Sequence, residues 1–214
     1  MKTKETMKKT LLAIVMAAFT ATSAVAQSEE GSAYIKPMVG GTLTTLTKDS
    51  YSKMKFGLVG GAEFGYQATD RFAVTAGLLA TMQGAKYKTF TGTFRGVTGN
   101  VKDASTSLTY LNIPVMANFY IAPGLAIKAG IQPGFLLTHK SKAKVETAIS
   151  DVNVSVTGKD GLKKFDFSIP LGLSYEIEDF VIDARYNLGL GKVDDVDGSK
   201  NSVIMLTVGY KIPF

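Results

Sequence analysis

Eight charged residues, Lys55, Glu63, Lys128, Asp166, Glu176, Asp183, Arg185 and Lys211, each stand between two apolar neighbours. Four are basic and four acidic. If the apolar neighbours mark one face of a sheet, these charges point to the other. Charges shut away from water must pair, because the desolvation of a lone ion outweighs its other interactions. Two chemistries fit such a set. One is an internal network of ion pairs and hydrogen bonds, and the other is a polar path for a small solute. Asp183 and Arg185 lie two residues apart, which puts them on one face of a strand and into one network.

The remaining reactive side chains point to less. His139 is the only histidine. Ser141 is close in sequence, but no nucleophile motif surrounds it, and general-base work needs an orienting partner as well. The expectation is an exposed histidine and no catalytic residue. Asp194, Asp195 and Asp197 before Gly198 resemble a fragment of a Ca²⁺ loop without its ligand spacing or closing Glu, so a solvated turn is expected there and no metal site. The chain has no cysteine. That removes disulfides, thiolate zinc sites, cysteine nucleophiles and a lipid-modified N-terminal cysteine together. No cofactor is expected.

Strands are the elements that would position these charges. Ile204, Leu206, Val208, Tyr210, Ile212 and Phe214 recur at strict period two, the mark of a strand with one apolar face. The same period runs from Phe180 to Leu190, Phe165 to Ile177, Leu125 to Leu137, Leu111 to Ile121, Phe72 to Met82 and Phe56 to Tyr66. A first strand near Ala33 to Leu46 completes eight, with a phase the sequence leaves open. Tight connections at residues 68–71, 123–124 and 178–179 alternate with long ones at 47–53, 85–106, 139–164 and 191–201. Short turns at one end and long loops at the other fit an eight-stranded antiparallel transmembrane β-barrel of the bacterial outer membrane, all-β, with both termini on the periplasmic side.

Aromatic residues supply an independent test. Phe64, Tyr66, Phe72, Phe119, Tyr175, Phe180, Tyr210 and Phe214 lie on the apolar phase at the short-turn ends, the pattern of an aromatic girdle at a membrane boundary. A soluble barrel with the apolar face inside would need an opposite face rich in Lys and Glu. That face is mostly Gly, Ser, Thr and Asn, which suits a narrow packed lumen. The mature part has no apolar run of ~18 residues, so no transmembrane helix is expected.

The first residues read as a leader. Lys2, Lys4, Lys8 and Lys9 precede an apolar run at 11–19, and Ala24-Val25-Ala26 is a small-x-small signal, so cleavage is expected between Ala26 and Gln27. Residues 1–26 form the expected secretory signal peptide and 27–214 the barrel domain, with Met7 as a second candidate start. The net charge of +6 divides equally between leader and mature chain. Basic and aromatic residues do not cluster as a nucleic-acid platform requires, so no nucleic-acid partner is expected.

Four stretches together resemble one family: YLNIPV at 110–115, KAGIQPG at 128–134, DARYNLG at 183–189 and VGYK at 208–211. They are similar to the PorT-type outer-membrane β-barrel domains of the Bacteroidota, a Gram-negative group. The resemblance spans roughly residues 32–214 and is strongest in the last four strands. It implies an eight-stranded barrel in the cell envelope and carries over no catalytic residue. The terminal strand ending on Phe214 resembles those of other outer-membrane proteins, which implies recognition by the barrel-assembly machinery during insertion.

The four outer segments 47–55, 85–106, 139–164 and 191–201 hold 15 basic and 8 acidic residues. Alternation continues within two of them, around Ser150-Asp151 and around Gly96 and Gly99, so strands are expected to continue as ribbons above the membrane. A basic outer surface points to outer-membrane lipid, including lipopolysaccharide phosphates, as a partner. Ribbon edges point to an extracellular or periplasmic protein partner bound by strand addition. The leading expectation is a non-enzymatic envelope anchor or interaction barrel with a plugged lumen. The alternatives are small-solute transport, an enzyme centred on His139, and a component of a protein secretion system.

Overall fold

A computed structural model describes residues 29–47, 52–94, 97–147, 151–157, 163–191 and 199–214. The expected leader, the Ala26–Gln27 cleavage point and the aspartates of 194–197 lie outside the described residues. The strands are β1 (Ala33–Leu46), β2 (Ser52–Lys53), β3 (Lys55–Thr69), β4 (Phe72–Tyr87), β5 (Phe90–Phe94), β6 (Val97–Asn112), β7 (Val115–Ala122), β8 (Leu125–Thr147), β9 (Asp151–Thr157), β10 (Phe165–Ile177), β11 (Phe180–Gly189), β12 (Asn201–Tyr210) and β13 (Ile212–Pro213).

Antiparallel pairing runs β1–β3–β4, then β6 and β7, then β8, β10, β11 and β12, and β12 pairs back onto β1. The result is a closed ring of eight staves. β6 and β7 form one stave, interrupted at Ile113-Pro114, where proline has no N–H for the ladder. β13 continues the last stave and pairs with the start of β1, Tyr34 opposite Pro213 and Ile35 opposite Ile212. Closure leaves the ring no open edge. The short turns, at Asp70-Arg71, Pro123-Gly124 and Glu178-Asp179, all lie at one end of the ring.

Alternation sends one side chain in and the next out around the whole ring. The outward apolar residues define spans at 56–66, 72–82, 127–137 and 180–190, and Phe56, Phe64, Met82, Ile127, Leu137 and Phe180 are all exposed. Eleven residues at about 3.4 Å, tilted about 40°, cover close to the ~25 Å apolar band of such barrels. β1 shows why its phase was illegible. Its lumen side carries Tyr34, Met38 and Leu46, while its outer side includes Pro37, Gly41 and Thr45, so apolar residues fall on both phases.

Above the apolar band the strands do not stop. β5 pairs β6, β6 pairs β8 from Gly99–Thr147 down to Asn112–Gly134, and β8 pairs β9 from Lys140–Thr157 up to Glu146–Asp151. The two ribbons expected from alternation are therefore one four-stranded sheet, β5–β6–β8–β9. β5 and β9 are its edges.

Candidate functional site

The lumen is filled by side chains in five successive layers. The floor, at the short-turn end, holds Tyr34, Gln67, Tyr120, Glu176 and Lys211, all buried. Lys211 Nζ lies 2.6 Å from Glu176 Oε2, and Tyr120 donates its hydroxyl to Glu176 Oε1 at 2.6 Å. Lys211 Nζ also stands 4.4 Å above the Tyr34 ring, a cation–π contact. Gly65 makes room for that ring: a Cβ there would sit 2.1 Å from Tyr34 Cζ.

The second layer is ionic. Asp183 and Arg185 project from β11, Glu63 from β3, Lys128 from β8 and Lys36 from β1. Arg185 grips Asp183 with two parallel hydrogen bonds, Nε to Oδ1 and Nη2 to Oδ2, both 2.7 Å. Its Nη1 reaches Glu63 Oε1 at 2.5 Å. Lys128 pairs with Asp183, and Lys36 Nζ lies 2.9 Å from Glu63 Oε2 and 3.8 Å from Asp183 Oδ2. The cations meet Glu63 as ion pairs without well-aligned hydrogen bonds. All five side chains are at most 3 % exposed. Three cations surround two carboxylates at the waist of the barrel.

Met38, Val59, Leu79 and Met205 form an apolar third layer. The fourth is a polar cage of Gln83, Asn112, Gln132, Asp166, Ser168, Asn187 and Asn201 around a cavity of about 10 Å³, room for about one water. Asn201 donates to Asp166 at 2.8 Å, Gln132 to Ser168 at 3.1 Å and Asn112 to Thr81 at 2.7 Å. Leu46, Ala85, Leu108, Tyr110 and Leu136, with Tyr87 against them, close the outer mouth.

The eight sequence-selected charges thus fall into four places. Glu63, Lys128, Asp183 and Arg185 meet in the ionic layer. Glu176 and Lys211 pair in the floor, and Asp166 belongs to the polar cage. Lys55 does not join them: its ammonium bonds Ser107 Oγ and donates to Thr106 O at 2.9 Å, on the outer extension. Lys36 was missed because the phase of β1 was illegible. Its register partner across the strands is Glu63, an opposite charge that would have revealed it had the β1–β3 pairing been known.

Elsewhere, Phe64, Tyr66, Phe72, Phe119, Phe180, Tyr210 and Phe214 are exposed on the outer wall toward the short turns, with Tyr175 half-buried among them. Phe180 packs edge-on to Tyr210, ring centroids 5.1 Å apart, and Phe64 lies 5.9 Å from Phe214. His139 is half-buried above the mouth, its Nε2 2.9 Å from Ser141 Oγ. Among the described residues no group of His, Asp or Glu is arranged to hold a metal ion.

Among solved structures, the chain is similar to Ail, the attachment invasion locus protein of Yersinia pestis, in complex with the heparin analogue sucrose octasulfate. Identity is 19 % over 86 % of this chain and 99 % of that one, with a TM-score of 0.48. Neisserial surface protein A is 16 % identical over 86 % and 100 % of the two chains, TM-score 0.47. The N-terminal β-barrel domain of Pseudomonas aeruginosa OprF is 17 % identical over 86 % and 100 %, TM-score 0.31. No curated protein matches the sequence. Residues 25–195 match the family model described as "Outer membrane protein beta-barrel domain". With the closed eight-stave ring and its apolar outer wall, that match places the chain in the outer membrane as a member of the outer membrane protein beta-barrel domain family.

Proposed function

We propose that this protein is a non-conducting envelope anchor that presents a four-stranded sheet outside the membrane for protein recognition. One observation carries the reading: β9 pairs with β8 along one side and with no other strand among the described residues. An open strand edge offers unpaired N–H and C=O groups to an extended segment of a partner. The filled lumen supports the first half of the reading. A solute would have to part the ion pairs of the waist and the apolar layers on both sides of the polar cage. The aromatic ring at the short-turn end fits an anchoring girdle at the inner boundary. Within the family, the motifs at 110–115, 128–134, 183–189 and 208–211 favour the PorT-type branch.

The test replaces residues 143–155 by a two-residue turn, which removes the β8–β9 hairpin and leaves the ring intact. A photocrosslinker at Thr157 in intact cells is expected to give a protein adduct in the parent chain and none in the shortened one. Heat-modifiable mobility on gels should persist in both. An unchanged adduct after hairpin removal contradicts the reading.

A further inference from the structure

We propose that the outer wall carries a phosphate-binding site, formed by Lys55, Lys86 and Lys142 with the hydroxyls of Ser105 and Ser107, that holds a phosphate of an outer-leaflet lipid headgroup.

Register places the groups. Ser105 of β6 lies directly opposite Lys86 of β4 on one side and Lys142 of β8 on the other. Directly paired residues share a face, so the two lysines flank the serine with Cα atoms about 10 Å apart. Two long side chains can close over an anion between them. Ser107 is two residues along β6, on the same face as Ser105. Lys55 reaches it from β3, crossing β4 where Gly84, the register partner of Ser107, has no side chain in the way. Both lysines of the flanking pair are exposed, and both serines are half-buried.

The cluster lacks its own counter-ions. Among the described residues no carboxylate lies within ion-pair distance of Lys55, Lys86 or Lys142. Burial first, and then the ammonium groups of Lys86 and Lys142, hold the Lys55 pKa below its ordinary value. Like charges gathered at a surface are relieved by an anion, and phosphate oxygens accept charge-assisted hydrogen bonds from ammonium and hydroxyl groups together.

Height selects the source. The last exposed apolar residue below Lys86 on β4 is Met82, and below Lys142 on β8 it is Leu137. Four residues on β4 and five on β8, along strands tilted about 40°, rise about 10 Å and about 13 Å, just above the hydrocarbon boundary. Lys55 directly follows the boundary, next to exposed Phe56. Thr109 and Thr138, directly paired, make the step between the apolar wall and the lysines. A lysine stem can lie along that step and keep its charge at headgroup level.

Native mass spectrometry of the refolded full chain tests this with phosphorylated lipid A, dephosphorylated lipid A and inorganic phosphate as separate probes. The parent chain is expected to bind phosphorylated lipid A at least tenfold more tightly than the dephosphorylated form. The triple variant Lys55→Gln, Lys86→Gln, Lys142→Gln should lose that preference. Lys200→Gln, at the residue just before β12, should keep it and controls for charge alone. Equal binding of both lipids by the parent, or an unchanged preference in the triple variant, overturns the site. Binding of inorganic phosphate as tight as that of the phosphorylated lipid overturns its assignment to a membrane lipid.

Discussion

At the scale of single residues, the waist of the barrel is an unequal contest between three cations and two carboxylates. Removing a carboxylate leaves buried positive charge without a partner. Removing one cation leaves the rest balanced. Asp183→Ala is therefore expected to destabilise the barrel by about 3–5 kcal/mol, and Lys36→Met by much less. Urea unfolding in lipid vesicles checks both, and equal losses would show that the network is not limited by its carboxylates. Most of this layer was legible in the sequence, because Glu63, Lys128, Asp183 and Arg185 each interrupt an apolar period. Lys36 was not, because Pro37 and Gly41 blur the outer phase of its strand. Lys55 has the same local signature as the others and is placed elsewhere. Alternation assigns Lys55 to the lumen phase, but at the start of β3 its long stem carries the ammonium across to Thr106 and Ser107, which no local pattern shows.

Within the elements, packing depends on what each stave gives up to its neighbour. Tyr34 of β1 covers Gly65 of β3 so closely that no side chain fits beneath it. Gly65→Val should cost about 1–3 kcal/mol through overpacking. Adding Tyr34→Ser should recover part of that loss, a coupling measurable in a double-mutant cycle. Additive losses would mean that the two residues do not compete for the same space. The staves themselves were readable from period two, and the two outer hairpins from alternation around Ser150 and Gly96. Their fusion into one sheet was not readable. It depends on β6 pairing β8 above the membrane, with register shifts between Lys102 and Ser105 and between Thr109 and Tyr110. Such shifts change which face each later residue takes, and no local pattern announces them.

For the whole molecule, the closed ring and the layered filling make the lumen a core and leave the outer rim as the working surface. The protein spends its internal polar groups on one another: an ionic waist, a floor centred on Glu176, and a cage around a space of about one water. Recognition is then left to the exposed sheet and the lysine-rich wall beneath it. The most direct measurement of this claim is single-channel recording of the purified full chain in planar bilayers. The account predicts silent bilayers for the parent chain, even where insertion is verified by heat-modifiable mobility. Reproducible conductance steps whose size changes in Asp183→Asn would contradict it and make the waist a gate.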